Sequence, residues 1–461
     1  MRAGERLAVV VLVGSALTAT VAHADDPPPF QSVRADENYA AAADPAWRAR
    51  LPEPWKFVAL DATGERYASF GGEVRERFDT FDAARFGIGG VRPDSYVLQR
   101  FLLHADLHVG SRLRFFVQVG HHDALGKRPP YLPVDRDPTD LQNAFLDVVP
   151  DTAGRFTLRI GRQELLLNPT QRFVGVREGP NLRQSYDGVR VRWARGPWTA
   201  DAWTLRPVTA KPGAFDDRGD PTVRFSGVYA SRRVEGLAGS VDGWWFALDR
   251  FGAKYGAAVG AERRRGLGAR LVARPGAWDV EAEFLWQYGT FGRADLRAWG
   301  GGLDVGRTYA VRAHPRLGLR LDGASGGRLD DPNRIGTFNP LFPKGAYFDE
   351  STLTTYANLL AVRPSVTVSP ARGVTVQLAQ AWRWRENRDD ALYLIPFVAI
   401  PATAGRGGRY VGRFTTLDTQ WRVNRWISLQ ALYLHVAAGS AVTQAGGHDA
   451  DFGMLIGQLK F

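Results

Sequence analysis

The 461-residue chain contains no cysteine. That excludes a disulfide framework, a thiolate zinc site and thiol catalysis. Long apolar runs are also missing beyond the N-terminus. The longest candidate, Leu392 to Ala404, is interrupted by Pro396 and Pro401, whereas a membrane helix needs about 18–20 apolar residues without a break. A bundle of membrane helices is therefore excluded. No blade-length repeat is present, which sets a β-propeller aside. Gly300-Gly301-Gly302 has no following helix and no P-loop lysine, which argues against a phosphate cradle.

What the chain does have begins with a leader. Arg2 and Arg6 precede the apolar run Leu7 to Leu17, and Ala22-His23-Ala24 offers small residues ahead of Asp25. Residues 1–24 are expected to be a secretory signal peptide. The formal net charge of +11 becomes +10 once Arg2, Arg6 and Glu5 are removed. An exported chain without cysteine fits the periplasm or outer membrane of a Gram-negative bacterium. A pI near 10.0 points to an anionic partner: nucleic acid, lipopolysaccharide or an acidic solute. The 51 glycines would be unusual in a mainly helical chain. Residues 25–69 carry the strings DPPPF and LPEPW and read as an extended periplasmic segment.

From residue 70 onward hydrophobicity alternates with a period of two, the mark of half-buried strands. In 97–109, Val97, Phe101, Leu103, Ala105, Leu107 and Val109 oppose Arg100, His104, Asp106 and His108. In 278–288, Trp278, Val280, Phe284, Trp286 and Tyr288 oppose Asp279, Glu281, Glu283 and Gln287. Such alternation predicts 18 strands: 70–80, 97–109, 113–122, 141–149, 155–163, 186–194, 198–206, 222–232, 240–250, 262–273, 277–289, 294–306, 315–324, 355–369, 373–385, 409–423, 426–437 and 451–461. Short connections such as Arg195-Gly196-Pro197 alternate with mostly long ones such as 164–185 and 325–354. That is the pattern of an 18-stranded antiparallel transmembrane β-barrel over 70–461, with short periplasmic turns and long extracellular loops. An even strand number leaves both chain ends on the periplasmic side. The tryptophans Trp193, Trp198, Trp244, Trp245, Trp278, Trp299, Trp382, Trp384, Trp421 and Trp426 lie near strand ends, where interfacial rings are expected. A soluble sandwich would leave the densely charged face exposed; a water-filled lumen accommodates it. The last strand ends on Phe461 and is expected to close on the first, with its terminal aromatic read by barrel-assembly machinery.

The polar face carries the chemistry. Strand parity turns Arg75, Arg77, Arg100, Arg114, Arg159, Arg190, Arg192, Arg270, Arg316, Arg320, Arg383, Arg385 and Arg422 inward. They mix with Glu73, Asp106, Asp201, Glu281, Glu283, Asp304, Asp322 and Asp418. A guanidinium is always charged and binds carboxylates as a fork. Rings of arginine in a narrow pore attract anions, and interspersed acids keep binding weak enough for release. The candidate lumen-binding set is Arg75, Arg77, Arg100, Arg114, Arg159, Arg162, Arg190, Arg192, Arg270, Arg320, Arg383 and Arg385 with Asp106, Glu281 and Asp322. No catalytic residue, metal or cofactor is expected. His104 and His108 lie about 13 Å apart on a strand, too far to share an ion. Glu281 and Glu283 have the roughly 7 Å separation of an inverting glycosidase pair but nothing around them to support catalysis.

Several local strings resemble the alginate export family of outer-membrane porins. Gly71-Gly72-Glu73-Val74-Arg75-Glu76-Arg77 is similar to its first strand, Ile160-Gly161-Arg162-Gln163-Glu164 to a strand end and Tyr186-Asp187-Gly188-Val189-Arg190 to a strand start. Leu267-Gly268-Ala269-Arg270, with Glu281 and Gln287-Tyr288-Gly289, resembles its central hairpin, and Thr337-Phe338-Asn339-Pro340-Leu341-Phe342-Pro343-Lys344-Gly345 a long loop. The resemblance runs from about Leu51 to the C-terminus. It implies a monomeric 18-stranded barrel with an arginine-rich constriction, passing an anionic polysaccharide such as alginate outward. The alternative is uptake of small organic anions. The expected surroundings are outer-membrane lipid and lipopolysaccharide, and no nucleic acid.

Overall fold

The computed structural model describes residues 29–151, 153–328 and 331–461. The expected signal peptide lies outside the described residues. Eighteen long strands form one closed antiparallel barrel. We number them β1 (Arg66–Phe81), β2 (Asp94–Val109), β3 (Leu113–Leu125), β4 (Asp137–Val148), β5 (Phe156–Glu164), β6 (Ser185–Arg195), β7 (Trp198–Thr209), β8 (Val223–Val234) and β9 (Gly239–Tyr255). The second half comprises β10 (Ala258–Ala273), β11 (Trp278–Phe291), β12 (Ala294–Thr308), β13 (Arg316–Ala324), β14 (Leu359–Ala371), β15 (Val374–Trp384), β16 (Tyr410–Arg422), β17 (Ile427–Ala438) and β18 (Ala450–Lys460). β18 pairs with β1 from Glu73↔Lys460 to Phe81↔Phe452, so no edge is left open. No helix among the described residues is long and apolar enough to cross a membrane.

Each of the 18 expected segments corresponds to one strand, with shifts at the ends. β1 begins at Arg66 rather than residue 70. The gap between 250 and 262 is not a loop. β9 and β10 continue past a bulge between Arg250 and Ala253 to the two-residue turn Gly256-Ala257. β11 and β12 likewise meet through Gly292-Arg293. On the opposite rim β6 and β7 turn at Gly196, whose φ of 57° suits a residue without a Cβ.

The outer face is apolar. Leu103, Leu267, Phe284, Leu317, Leu378 and Leu455 are each half exposed or more, as a lipid-facing belt requires. Trp198, Trp245, Trp278 and Trp421 share that face. Trp244 does not: it is 9% exposed and meets Phe173 edge-on inside the barrel. Consecutive strand residues point to opposite faces, so Trp244 and Trp245 cannot both join an interfacial girdle.

Three of the segments outside the wall contact one another inside it. The connection 165–184 folds back from the long-loop rim and carries Phe173, Arg172, Glu178 and Arg183 into the lumen. The connection 325–358 does the same with Phe338, Phe342, Tyr347 and Tyr356. The two loops bond through their backbones: Gly175 N donates to Phe342 O (2.8 Å) and Phe342 N to Phe173 O (3.0 Å). Gly300 and Gly302 on β12 leave the space they occupy; a Cβ at Gly300 would meet the Phe338 ring, and one at Gly302 would meet Asp322, Tyr356 and Arg172. The third segment is N-terminal. Val33 and Ala35 pack against Phe116, Phe145 and Val176, and Arg34 donates to the backbone oxygens of Gly72 and Phe461, both at 2.8 Å. A Cβ on Gly71 would collide with Lys56 and the Phe461 oxygen, which ties the Gly71-Gly72 string to this docking.

Candidate functional site: the charged lumen

The inward arginines divide by what holds them. Arg75, Arg77 and Arg100 on β1 and β2 grip the in-folded loop 165–184. Arg75 donates to the carbonyls of Glu178 (2.6 Å) and Pro180 (3.0 Å). Arg77 reaches Gly179 O (2.8 Å) and pairs with Asp79 (2.8 Å) and Glu350 (2.7 Å). Arg100, fully buried, sits between Glu73 (2.7 Å) and Glu178 (2.8 Å). Glu178 also pairs with Arg183 of its own loop. Burial raises the Glu178 carboxyl, but Arg183 and Arg100 outweigh burial and hold it well below the usual range.

A second group is held by the loop 325–358, by the 385–409 connection and by acids of the wall. Arg320 lies 3.3 Å from Asp322 and over the Tyr347 ring. Tyr347 and Tyr356 both donate to Asp322. Arg383 pairs with Asp349 (2.7 Å) and donates to Thr354 (2.6 Å). Arg385 donates to the carbonyls of Asp390, Thr403, Arg406 and Gly408 in the 385–409 connection. Arg270 bridges Asp242 (2.9 Å) and Glu281 (3.2 Å). Glu283, the other half of the carboxylate pair, is bound by Arg172 (2.6 Å).

The third group faces open space at the short-turn rim. Arg114, Arg159, Arg190 and Arg192 line a cavity of 240 Å³ whose far wall is Ala35 to Asn38. Arg114 forks onto Asp106 (2.7 and 2.8 Å) and reaches Ala35 O (2.8 Å). Arg159 forks onto Asp147 (2.7 and 2.8 Å) and stacks on Phe145. Arg190 and Arg192 share one acid, Asp201, at 2.7 and 3.3 Å. Arg190 Nη2 is buried with no hydrogen-bond partner, and the Arg192 side chain is 46% exposed.

Arg162 belongs to none of these groups. It has the parity of Leu158 and Ile160, the outward face of β5, and at the long-loop rim it binds Asp187 (2.8 Å). Arg162 stands opposite Asp187 in register, and Gly161 opposite Gly188, so the two strings Gly161-Arg162-Gln163 and Asp187-Gly188-Val189 meet side by side. Of the histidines, His104 stacks on Phe116 and His108 on Tyr67, 4.2 Å between rings.

Three groups went unread in the sequence. Arg264 is fully buried between Glu262 (2.6 Å) and Gln287; its parity with Arg270 would have found it. Arg172 and Arg183 lie in a loop without periodicity, where no local signal marks them.

The alginate export family model matches residues 66–454. The chain belongs to the alginate export family. It is therefore an outer-membrane β-barrel channel, with the short-turn rim on the periplasmic side. Its fold is similar to that of solved barrels at low identity. Pseudomonas aeruginosa OpdK, determined with vanillate, is 11% identical with a TM-score of 0.59, over 86% of this chain and 98% of that one. Acinetobacter baumannii OccAB4 is 9% identical (TM-score 0.58, 86% and 98%). P. aeruginosa OccK2 in complex with glucuronate is 14% identical (TM-score 0.54, 86% and 98%). No curated protein matches the sequence.

Proposed function

We propose that this channel passes carboxylated polysaccharide or oligosaccharide by passive diffusion, with lumen arginines as its transient binding groups. The observation that carries this reading is the periplasmic vestibule. There four guanidinium groups border one cavity, two of them share a single aspartate, and one buried N–H has no partner. A carboxylate arriving from the periplasm would complete Arg190 without breaking a fork elsewhere. Because acids are interspersed with the wall arginines, an anion held by one guanidinium can be released to the next. Family membership supports transport over catalysis, and Glu281 and Glu283 are engaged by Arg270 and Arg172 rather than poised around a cleft. The same reading makes the barrel a monomer in outer-membrane lipid and lipopolysaccharide.

A second reading, uptake of small organic anions, is favoured by the two in-folded loops. Pinned by ion pairs to the wall, they take up part of the lumen, which suits a small solute better than a polymer. The solved barrels holding vanillate and glucuronate are examples of this fold with single small carboxylates. One experiment separates the readings: conductance in planar bilayers, titrated with polyuronate and with small carboxylates. Blockade by polyuronate from the periplasmic side at lower uronate concentration than the monomer supports the first. Equal or stronger blockade by the monomer supports the second. Cation preference in the wild type, or anion preference unchanged in Arg190→Ala, would sink the arginine mechanism.

A further inference from the structure

The long-loop rim holds a cluster that the arginine wall does not use. Asp137 and Asp140 at the start of β4 and Asp217 in the connection 210–222 each bring a carboxylate oxygen within 4.8 Å of the other two. Asp137 and Asp140 are 4% exposed. A cavity of 30 Å³ lies among the three, lined also by His122, Gln142 and Ser185.

A second observation points to an occupant. His122 is 3% exposed, and neither ring nitrogen has a hydrogen-bond partner. It stands opposite Asp137 in the β3–β4 register. Its Nδ1 is 3.9 Å from Asp137 Oδ2, too far for a hydrogen bond. Asp137 Oδ1 is likewise buried without a partner. Buried polar groups are almost always paired, so two unpaired ones facing one small cavity mark a place where something binds.

The surrounding charges favour a cation. Arg162 approaches Asp140 at 3.4 Å, but its closer partner is Asp187. Arg183 also lines the cavity and is held by Glu164 at 2.6 Å and by Glu178. Arg162 also donates to the Asp217 backbone oxygen (3.0 Å), so one guanidinium is shared among Asp187 and the three clustered acids, and Asp216 adds a further carboxylate beside them.

We propose that Asp137, Asp140 and Asp217 form a calcium site, with His122 accepting a hydrogen bond from a water on the ion. Two oxygens on opposite sides of Ca²⁺ are about 4.8 Å apart, from a bond length of about 2.4 Å. The ligand oxygens of the three carboxylates all lie within that span of one another. Mg²⁺ keeps several waters in a strict octahedron, and the cavity has little room for them. The ion would join the connection 210–222 to β4 and to Ser185, where the in-folded loop 165–184 ends. Calcium outside the cell would thereby stiffen the extracellular rim beside the in-folded loop 165–184. This inference does not depend on which anion the channel carries.

The test uses full-length protein refolded in detergent without lipopolysaccharide and stripped with chelator. Titration calorimetry with CaCl₂ is expected to show one saturable site per chain. Asp137→Asn and Asp217→Asn should each weaken it at least tenfold, while Asp295→Asn at a distant rim hairpin leaves it unchanged. MgCl₂ should bind at least tenfold more weakly than CaCl₂. Heat-modifiable gel mobility checks that each variant is a folded barrel, and calcium should slow proteolysis within 210–222 in the wild type only. No saturable binding, or equal affinity in the wild type and both variants, would overturn the proposal. Zinc binding tighter than calcium and lost in His122→Ala would overturn it too, because the site would then be an imidazole-led transition-metal site.

Discussion

At the scale of the residue, the lumen arginines are distinguished by burial rather than by sequence. Arg172 is 1% exposed and stands against Glu283, which is buried as deeply. Removing one partner of such a pair strands the other charge, at a cost of about 3–5 kcal/mol. Arg172→Ala is therefore expected to lower stability by that order in urea titrations in lipid vesicles. Adding Glu283→Gln should restore more than half of the loss, because the stranded charge is gone. Arg192 is the opposite case: nearly half exposed, it shares Asp201 with Arg190. Exposed pairs contribute about 0–1 kcal/mol, so Arg192→Ala should leave stability unchanged within that range. Its effect belongs in the reversal potential, which is expected to move toward cation permeation. A large loss of stability without a selectivity change would contradict this division.

At the scale of the element, the loop 165–184 behaves as a clasp closed by Glu178. That carboxylate joins Arg100 on the wall to Arg183 on the loop, and Arg75 holds the adjacent backbone. Glu178→Gln removes the charge from both pairs, so mean conductance is expected to rise while the barrel stays folded. The pH dependence follows from the same contacts. The Glu178 carboxyl titrates well below its ordinary value of about 4.3, held there by Arg183 and Arg100 against the effect of burial. An acid depressed in the folded state stabilises that state above its unfolded pKa and loses the contribution as pH falls through the folded one. Loop closure should thus be constant from neutral pH to about 5 and weaken only in stronger acid. Conductance that rises between pH 7 and 6 would assign the clasp to another group.

At the scale of the whole molecule, chain enters the barrel from both ends. The loops 165–184 and 325–358 descend from one rim, and the N-terminal segment rises from the other. They meet: Arg183 donates to Ser32 O (2.9 Å), and Ser32 donates to Glu178 (3.1 Å). Deleting residues 29–57 removes the far wall of the vestibule, including the Ala35 carbonyl that holds Arg114. It leaves the 18 strands and the β1–β18 seam intact. The truncated protein is expected to remain heat-modifiable on gels and to show larger single-channel conductance. Polyuronate blockade from the periplasmic side should then set in at lower concentration. Unchanged conductance would mean that the two loops alone set the constriction.

The alternation in 97–109 and 278–288 was enough to number the strands and assign their faces, because a strand's two faces are decided by a period of two within the strand itself. Arg100, Asp106 and Glu281 could be placed inward from that parity alone. The strings Gly161-Arg162 and Asp187-Gly188 were visible as motifs, but that they pair in register was not, since register depends on the partner strand. Sequence could not show that Arg75 and Arg383 hold loops instead of facing an open pore. That outcome depends on segments about a hundred residues away from Arg75 in the chain, which fold in to satisfy the wall. Nor could it bring Asp217 to Asp137 and Asp140. Local periodicity fixes which way a side chain points; only the closed barrel and the loops inside it decide what that side chain meets.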